Sequence, residues 1–132
     1  MSLSPERLDR FARHIVLPEI GGAGQIALAK KHLVLVGLGG IGSPALQYLA
    51  GAGIGKLTLV DDDRVDASNL QRQTLFNERD IGHGKAVIAK RWVTGFDPEL
   101  DVQISDRRIT LANAPDLVIG ADLVLDGTDN FA

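Results

Sequence analysis

The spacing of hydrophobic and polar positions changes in a regular order after residue 30. Residues 33–36 and 57–60 are continuous apolar runs rich in branched side chains, which is typical of parallel strands buried on both faces. Residues 100–105 alternate apolar and polar side chains, which predicts a third strand with one less buried face. A fourth apolar run covers residues 123–125, and stretches with helical spacing separate the strands. The pattern predicts an α/β fold with a Rossmann-like, doubly wound and mainly parallel sheet.

The residues before this pattern predict a helical arm. Ser4 is a favourable N-cap, and the apolar residues after it recur at helical spacing. The glycine-rich residues 21–24 predict a flexible joint ahead of a short helix at about residues 25–31. We therefore divide the chain into an N-terminal helical arm, residues 1–30, and a Rossmann-like half-domain, residues 31–132.

Length and composition narrow the class of protein. A chain of 132 residues is one domain by size, and 45% hydrophobic with 23% charged residues is ordinary for a globular protein. The chain has no cysteine, which excludes disulfides, cysteine-ligated zinc and a cysteine nucleophile within these residues. The net charge of -3 argues against binding nucleic acid through the whole surface. No apolar stretch approaches the roughly 20 residues of a membrane span, and the start lacks the apolar core of a secretion signal. We therefore expect a cytoplasmic protein without a membrane partner.

A glycine motif follows the first predicted strand. Gly37, Gly39 and Gly42 fit the spacing G-x-G-x-x-G, and Pro44 is compatible only with the first turn of the next helix. Glycine at these positions allows a phosphate to approach the backbone and the unpaired N–H groups at the helix start. The alternative is that the glycines serve only to pack this helix on the strand. The helix should begin near Ile41 or Gly42 in either case.

Polar clusters follow the other predicted strands. Asp61 comes about 20 residues after the glycines, where an acidic side chain holds a ribose hydroxyl, although a solvated polar turn is the alternative. Residues 64–82 lack periodicity, and loops of this length inside compact domains are usually functional. Lys85 lies at the start of a predicted helix, where its charge opposes the helix dipole unless an anion lies between them. Residues 126–130 follow the fourth strand, so all these clusters should meet at the carboxyl ends of the strands.

Five motifs in this order resemble the ThiF/MoeB/HesA family. The motifs are GLGGIG, LTLVD, SNLQRQTLF, GKA and LDGTDN. This family comprises adenylyltransferases of ubiquitin-like sulfur-carrier proteins and is related to the ubiquitin-activating enzymes. The resemblance implies that the C-terminal carboxylate of a carrier protein attacks the α-phosphate of ATP and releases pyrophosphate. It covers almost the whole chain, which would be the nucleotide-binding half of a longer family member.

The resemblance also implies roles for individual residues. The catalytic residues would be Arg13, Arg72, Lys85 and Asp129, with Asp129 binding Mg²⁺ and Arg13 acting across a dimer interface. Solvation of Arg13, an ion pair between Arg72 and a local aspartate, and caps formed by Asn69 or Asp129 are the structural alternatives. The residues implied in binding ATP are Gly37, Gly39, Gly40, Gly42, Asp61, Asp63, Asn69, Arg72, Gln73 and Lys85.

The sequence departs from the family pattern in two ways. Gly127 stands where many relatives have a cysteine, so thiol chemistry cannot be assigned there. The sequence also stops at Ala132, whereas relatives continue for about as many residues again. We expect any zinc site, and most of the carrier-protein surface, in that other half.

Two other functions remain open at the level of sequence. An NAD-dependent oxidoreductase would use the glycine motif and Asp61 equally well, but it leaves SNLQRQ and Lys85 unexplained. A non-catalytic dimerisation partner of an activating enzyme would retain the fold, but it would not need Arg72, Lys85 and Asp129 together.

Overall fold

The computed structural model describes residues 3–128. It contains a four-stranded sheet in the order β3-β2-β1-β4, and every neighbouring pair of strands is parallel. Two short 3-10 helices, Ala67–Asn69 and Glu78–Asp80, interrupt the long loop after β2. The strands are β1 (His32–Val36), β2 (Lys56–Val60), β3 (Asp101–Ser105) and β4 (Leu123–Asp126), and the helices are α1 (Pro5–Arg10), α2 (Ala12–Ile15), α3 (Gly21–Ala29), α4 (Gly42–Ala52), α5 (Lys85–Phe96) and α6 (Ala114–Leu117).

The two faces of the sheet are covered by different helices. Leu35 and Leu59 point to one face, where they share the main core with residues of α4 and α5. Val34, Val36 and Val60 point to the other face and pack against Leu117 and neighbouring residues of the β3–β4 connection. Helices on both faces of a parallel sheet in this strand order make the Rossmann-like, doubly wound fold that the sequence predicts.

The N-terminal helices pack against this half-domain. Arg7 Nη1 donates to Asp97 Oδ1 at 2.7 Å and lies 3.2 Å from Glu99 Oε2. Phe11 is buried at the break between α1 and α2, which the periodicity had predicted to be one continuous helix. Its ring lies against Gly53, where a Cβ atom would come within 3.0 Å of the Phe11 Cζ atom. Burial of Phe11 therefore fixes the helical arm to the end of α4.

The prediction of a flexible glycine joint is wrong. Gly21 to Gly24 form the first turn of α3, so this helix begins at Gly21 and not near Gln25. Gln25 is buried, its Nε2 donates to the Ala52 carbonyl at 2.9 Å, and its Oε1 lies 3.2 Å from His14 Nδ1. These contacts with α2 and α4 outweigh the low helix propensity of the glycines.

The start of α4 depends on close contact between three glycines. Gly37 has φ of 92°, and a Cβ atom there would lie 2.8 Å from the Thr128 backbone nitrogen. A Cβ atom at Gly42 would overlap the carbonyl oxygen of Gly37, and one at Gly127 would lie 3.0 Å from the same oxygen. The three residues join the end of β1, the start of α4 and the end of β4, and we call them the glycine junction. A Cβ atom at Gly127 would require small shifts of the Gly37 and Gly42 backbone.

Within residues 3–128, no helix has both the length and the apolar character needed to cross a bilayer.

Two predicted boundaries are confirmed, since α4 begins at Gly42 and α5 begins at Lys85. The less buried face of the third strand is also confirmed, because Asp101 and Gln103 are exposed while Val102 is buried.

We predict opposite effects of two glycine-to-alanine substitutions on stability. Gly42→Ala places a methyl group on the Gly37 backbone and should lower the free energy of unfolding by about 3 kcal/mol or more. In Gly95→Ala, in α5, the added Cβ atom meets no atom within 4 Å, so this substitution should raise the free energy of unfolding by about 0.5–1 kcal/mol. Urea unfolding followed by circular dichroism measures both, and equal stability of the two variants would contradict the glycine junction.

Candidate functional site

A cleft of about 680 Å³ opens at the carboxyl ends of the strands. Residues of β1, β2 and β4, and of the loops after all four strands, contribute to its walls. Its lining contains Gly37, Gly39, Asp61, Asp63, Asn69, Arg72, Gln73 and Lys85, together with Val36, Leu38, Val60, Asp62, Arg107, Arg108, Ile109, Val124, Asp126, Gly127 and Thr128. The structure therefore brings most of the predicted site residues together, because parallel strands place their C-terminal loops at one edge of the sheet.

Asp61 is held in one orientation at the end of β2. Its Oδ2 accepts the Leu38 N–H at 2.7 Å, and its Oδ1 accepts the Asp63 N–H at 2.7 Å. Burial raises the pKa of Asp61, while the two backbone hydrogen bonds and the charge of Lys85 partly oppose this rise. The alternative of three solvated carboxylates does not describe Asp61, which is half-buried, although Asp62 and Asp63 are exposed. Two hydrogen bonds leave acceptor capacity on both oxygens of the Asp61 carboxylate.

Lys85 is buried at the first turn of α5, with 5% of its surface exposed. Its backbone N–H donates to the Asp63 carbonyl at 3.0 Å, which ties the helix start to the loop after β2. Its ammonium has one ion pair among the described residues, at 4.0 Å from Asp63 Oδ2, a carboxylate that is largely exposed. A buried ammonium and the positive end of a helix dipole thus face the same cleft. This combination suits an anionic ligand.

The SNLQRQ segment forms a compact turn beside the glycine loop. Asn69 Oδ1 accepts the Asp66 N–H at 3.0 Å, so the predicted alternative that Asn69 caps a turn is present in the structure. Arg72 Nη1 donates to the Ser68 carbonyl at 3.1 Å and forms no ion pair within residues 3–128, so the alternative pairing with a local aspartate is absent there. Cβ positions at Gly39 and Gly40 would lie 3.8 Å from Gln73 Nε2 and 3.9 Å from Arg72 Cδ. The segment therefore covers the glycine loop closely.

Gln73 is the most buried polar side chain of this segment, with 2% of its surface exposed. Its Oε1 is buried and has no hydrogen-bond partner within the part of the chain that the structure describes. A buried amide oxygen without a partner is costly. Gln73 is consequently a candidate for contact with a ligand or an ordered water in the cleft.

The end of β4 forms the opposite side of the cleft. Asp126 Oδ1 accepts both the hydroxyl and the backbone N–H of Thr128, and these hydrogen bonds lower the pKa of Asp126. Asp129, the predicted magnesium ligand, lies outside the described residues. Among residues 3–128, the acidic side chains that approach within 4.8 Å of one another as a group of three are Asp61, Asp62 and Asp63. Clusters that include exposed acidic side chains such as Asp62 and Asp63 are common without an ion, so we assign no metal to this group.

Two sets of residues stand apart from the sequence-based expectation. Arg13 is exposed on α2, is not part of the cleft, and makes no ion pair or hydrogen bond with other described residues through its side chain.

Arg107, Arg108 and Ile109 line the cleft, but the sequence reading gave them no role. The rule that ligands lie at the ends of parallel strands would have found them, since they follow β3 directly. A separate groove of about 530 Å³, between residues 75–80 and α5, contains none of the predicted site residues.

Comparison with known proteins agrees with this arrangement. Residues 11–132 match the model of the ThiF family. The chain belongs to the ThiF family. This confirms the family resemblance drawn from the five motifs, and the sheet topology confirms the Rossmann-like fold.

The chain spans about half the length of some curated relatives that it matches and about a third of others. The SAMP-activating enzyme E1 of Haloferax volcanii is 44% identical over 131 residues, which is 99% of this chain and 48% of that protein. The sulfur carrier protein ThiS adenylyltransferase of Escherichia coli is 44% identical over 123 residues, which is 93% of this chain and 49% of that protein.

A solved structure extends the comparison to nucleotide binding. The E. coli tRNA N6-threonylcarbamoyladenosine dehydratase TcdA, in complex with ATP, matches with a TM-score of 0.91 at 30% identity. The match covers 98% of this chain and 53% of the TcdA chain.

We predict that Asp61 and Asp126 titrate on opposite sides of the ordinary aspartate pKa, which is about 3.9. Carboxyl carbon shifts in an NMR titration should give a midpoint above this value for Asp61 and below it for Asp126. Since the folded state holds the Asp61 proton more tightly, the contribution of Asp61 to stability is full below about pH 3.9. This contribution to stability is lost as the pH rises through the pKa of Asp61 in the folded protein. A midpoint for Asp61 at or below the ordinary value would contradict its burial in the cleft.

Proposed function

We propose that this chain is the nucleotide-binding half of an adenylyltransferase that activates the C-terminal carboxylate of a ubiquitin-like sulfur-carrier protein. The observation that carries this proposal is the buried ammonium of Lys85 at the start of α5, facing the same cleft as Arg72 and the fixed carboxylate of Asp61. Relatives over 40% identical include enzymes named as adenylyltransferases of sulfur carriers.

The cleft divides into a part suited to ribose and a part suited to phosphates. Asp61 would accept a hydroxyl of the ribose, because its carboxylate is fixed beside the glycine loop. Gly37, Gly39, Gly40 and Gly42 would allow the phosphates to approach the backbone. Phosphate charge would be met by Lys85, Arg72, Asn69 and Gln73, with Asp63 positioning Lys85.

This division fits the chemistry of adenylation. A C-terminal carboxylate has a pKa of about 3.5 and is ionised at neutral pH, so its attack on the α-phosphate needs no general base. One carboxylate oxygen forms a bond to the α-phosphorus, the bond to the bridging oxygen of the β-phosphate breaks, and pyrophosphate leaves. The barrier comes from bringing an anion to a polyanion, which positioned cations lower. Lys85 and Arg72 would supply that charge from the walls of the cleft.

Mg²⁺ would supply further neutralisation of the phosphate charge when it is bound. We propose Asp129 as its ligand, because this ion prefers carboxylates and the residue follows β4 in the sequence. Asp126, the last residue of β4, places an exposed carboxylate in the lining of the cleft.

The alternatives explain less of the site. An NAD-dependent oxidoreductase would require the glycine loop and Asp61, but it gives no role to the Arg72 and Lys85 pair. TcdA is named as acting on a tRNA. A net charge of -3 and the higher identity to sulfur-carrier enzymes, 44% against 30%, favour a protein acceptor here.

We further propose that Arg13 acts in the site of a neighbouring subunit of a homodimer. Its guanidinium is exposed and without a partner among the described residues, while α1 and α2 are held in place by Arg7 and Phe11. An arginine presented in this way could bridge phosphate oxygens of a second subunit.

We predict that Lys85→Met weakens ATP much more than adenosine. The variant keeps the length of the side chain and removes its charge, so the loss for ATP should be about 10- to 100-fold, with adenosine changed less than twofold. Isothermal titration calorimetry measures both affinities, and Lys90→Met on the exposed side of α5 is the matched control. Equal losses for the two ligands would remove Lys85 from the phosphates.

We predict that Arg13→Ala and Lys85→Met complement each other in a dimer of the full-length protein. Each variant alone should lose carrier-dependent pyrophosphate exchange. Random mixing places half of the subunits in mixed dimers, each with one intact site and one site with both defects. Exchange should therefore recover to about a quarter of the wild-type rate, by the effective independence of two separated sites. No recovery, despite demonstrated subunit exchange, would place Arg13 outside the partner's site.

A further inference from the structure

The cleft contains an apolar part that the ribose and phosphate assignments leave unused. Val36, Val60 and Ile109 line it, and these residues pack together on the face of the sheet that α6 covers. A planar base requires such a surface, whereas phosphates do not. This part of the cleft is therefore where the base of a nucleotide bound at Asp61 would lie.

Two arginines flank this apolar part. Arg107 and Arg108 follow β3 directly, precede Ile109, and line the cleft with exposed side chains. Neither guanidinium group makes a hydrogen bond or an ion pair with other residues of the described range 3–128. Both are therefore available to a ligand.

Hydrogen bonds fix the backbone around these arginines, although their guanidinium groups make no such bond within residues 3–128. The Asn113 amide donates to the Arg108 carbonyl at 2.9 Å, and Asn113 Oδ1 accepts the Thr110 N–H at 2.7 Å. The Ser105 carbonyl accepts the Asp61 N–H at 3.1 Å, which sets the end of β3 beside the proposed ribose site. Because this backbone is already fixed, it loses less conformational freedom on ligand binding than an unrestrained loop would.

The order of the strands decides which part of a nucleotide these arginines meet. β3 lies beside β2 and away from β1 and β4, so the loop after β3 and the glycine junction lie on opposite sides of Asp61. Phosphates at Gly39 and Lys85 would direct the base away from the glycine loop and toward Ile109. A guanidinium plane stacks on an aromatic ring by cation–π attraction and planar contact.

We propose that Arg107 and Arg108 cover the base of the nucleotide by stacking. This inference rests on the proposed nucleotide function and adds the residues that recognise the base. It does not depend on which carrier protein receives the adenylate.

The test compares ligands with and without a base. Arg107→Gln and Arg108→Gln should each weaken adenosine and ATP by the same factor, about three- to tenfold, and should leave ribose 5-triphosphate unchanged. Arg107→Lys and Arg108→Lys keep the charge but not the plane, so they should not restore the affinity for adenosine. Arg79→Gln, an exposed arginine outside the cleft, is the matched control. Urea unfolding confirms that the variants are folded.

Each other outcome has a separate meaning. A loss for ATP and ribose 5-triphosphate, but not for adenosine, would overturn the inference and place the arginines on the phosphates. Unchanged affinities in both variants, or full restoration by lysine, would also overturn it while leaving the proposed nucleotide function intact. If the wild-type protein bound neither adenosine nor ATP, the nucleotide function would fail first and the stacking role with it.

Discussion

The close approach of three backbone segments at the glycine junction is the constraint on which the site depends. Gly42 has no room for a Cβ atom because the Gly37 carbonyl occupies that space, and Gly37 itself needs positive φ. The same contact positions the Leu38 N–H, which binds Asp61 across the ends of β1 and β2. A methyl group at Gly42 would therefore disturb the helix start, the strand end and the Asp61 carboxylate together. The close backbone contacts of the glycine junction therefore determine both the packing at the start of α4 and the geometry of the candidate site.

The sequence predicted the fold well where local pattern and tertiary packing agree. Apolar runs marked the strands, and the starts of α4 and α5 followed from Pro44 and from the helical spacing of the apolar residues after Lys85. The glycine run before Gln25 was misread because glycine has a low helix propensity, and only contacts with Ala52 and His14 hold that segment helical. Such contacts join residues distant in sequence, so a local reading cannot find them.

The sequence singled out motif residues that line the cleft, but it did not single out lining residues that lack a motif. Asp61 and Lys85 follow recognisable signals, and both lie in the cleft. Arg107, Arg108 and Ile109 belong to no such motif, although they follow the third predicted strand, and the position of β3 beside β2 places them near Asp61. Asn69 shows a different limit, because its oxygen caps a turn while its side chain also lines the cleft. A single side chain can serve both the fold and the site, so the two readings were never exclusive.

The distribution of charge in the cleft gives the proposed reaction its physical basis. The chain as a whole is acidic, with a net charge of -3, and the described residues that line the cleft include four cationic side chains and four carboxylates: Arg72, Lys85, Arg107 and Arg108, and Asp61, Asp62, Asp63 and Asp126. The surroundings of the cationic side chains matter more than their number. Lys85 is buried at a helix start, whereas the two arginines after β3 are exposed beside an apolar surface. Little water screens a buried cation, so Lys85 would act strongly on nearby phosphate charge, whereas the guanidinium groups of Arg107 and Arg108 would contribute mainly through their planes. In the proposed reaction at the α-phosphate of ATP, one end of the cleft would therefore meet the phosphate charge and the other end the base.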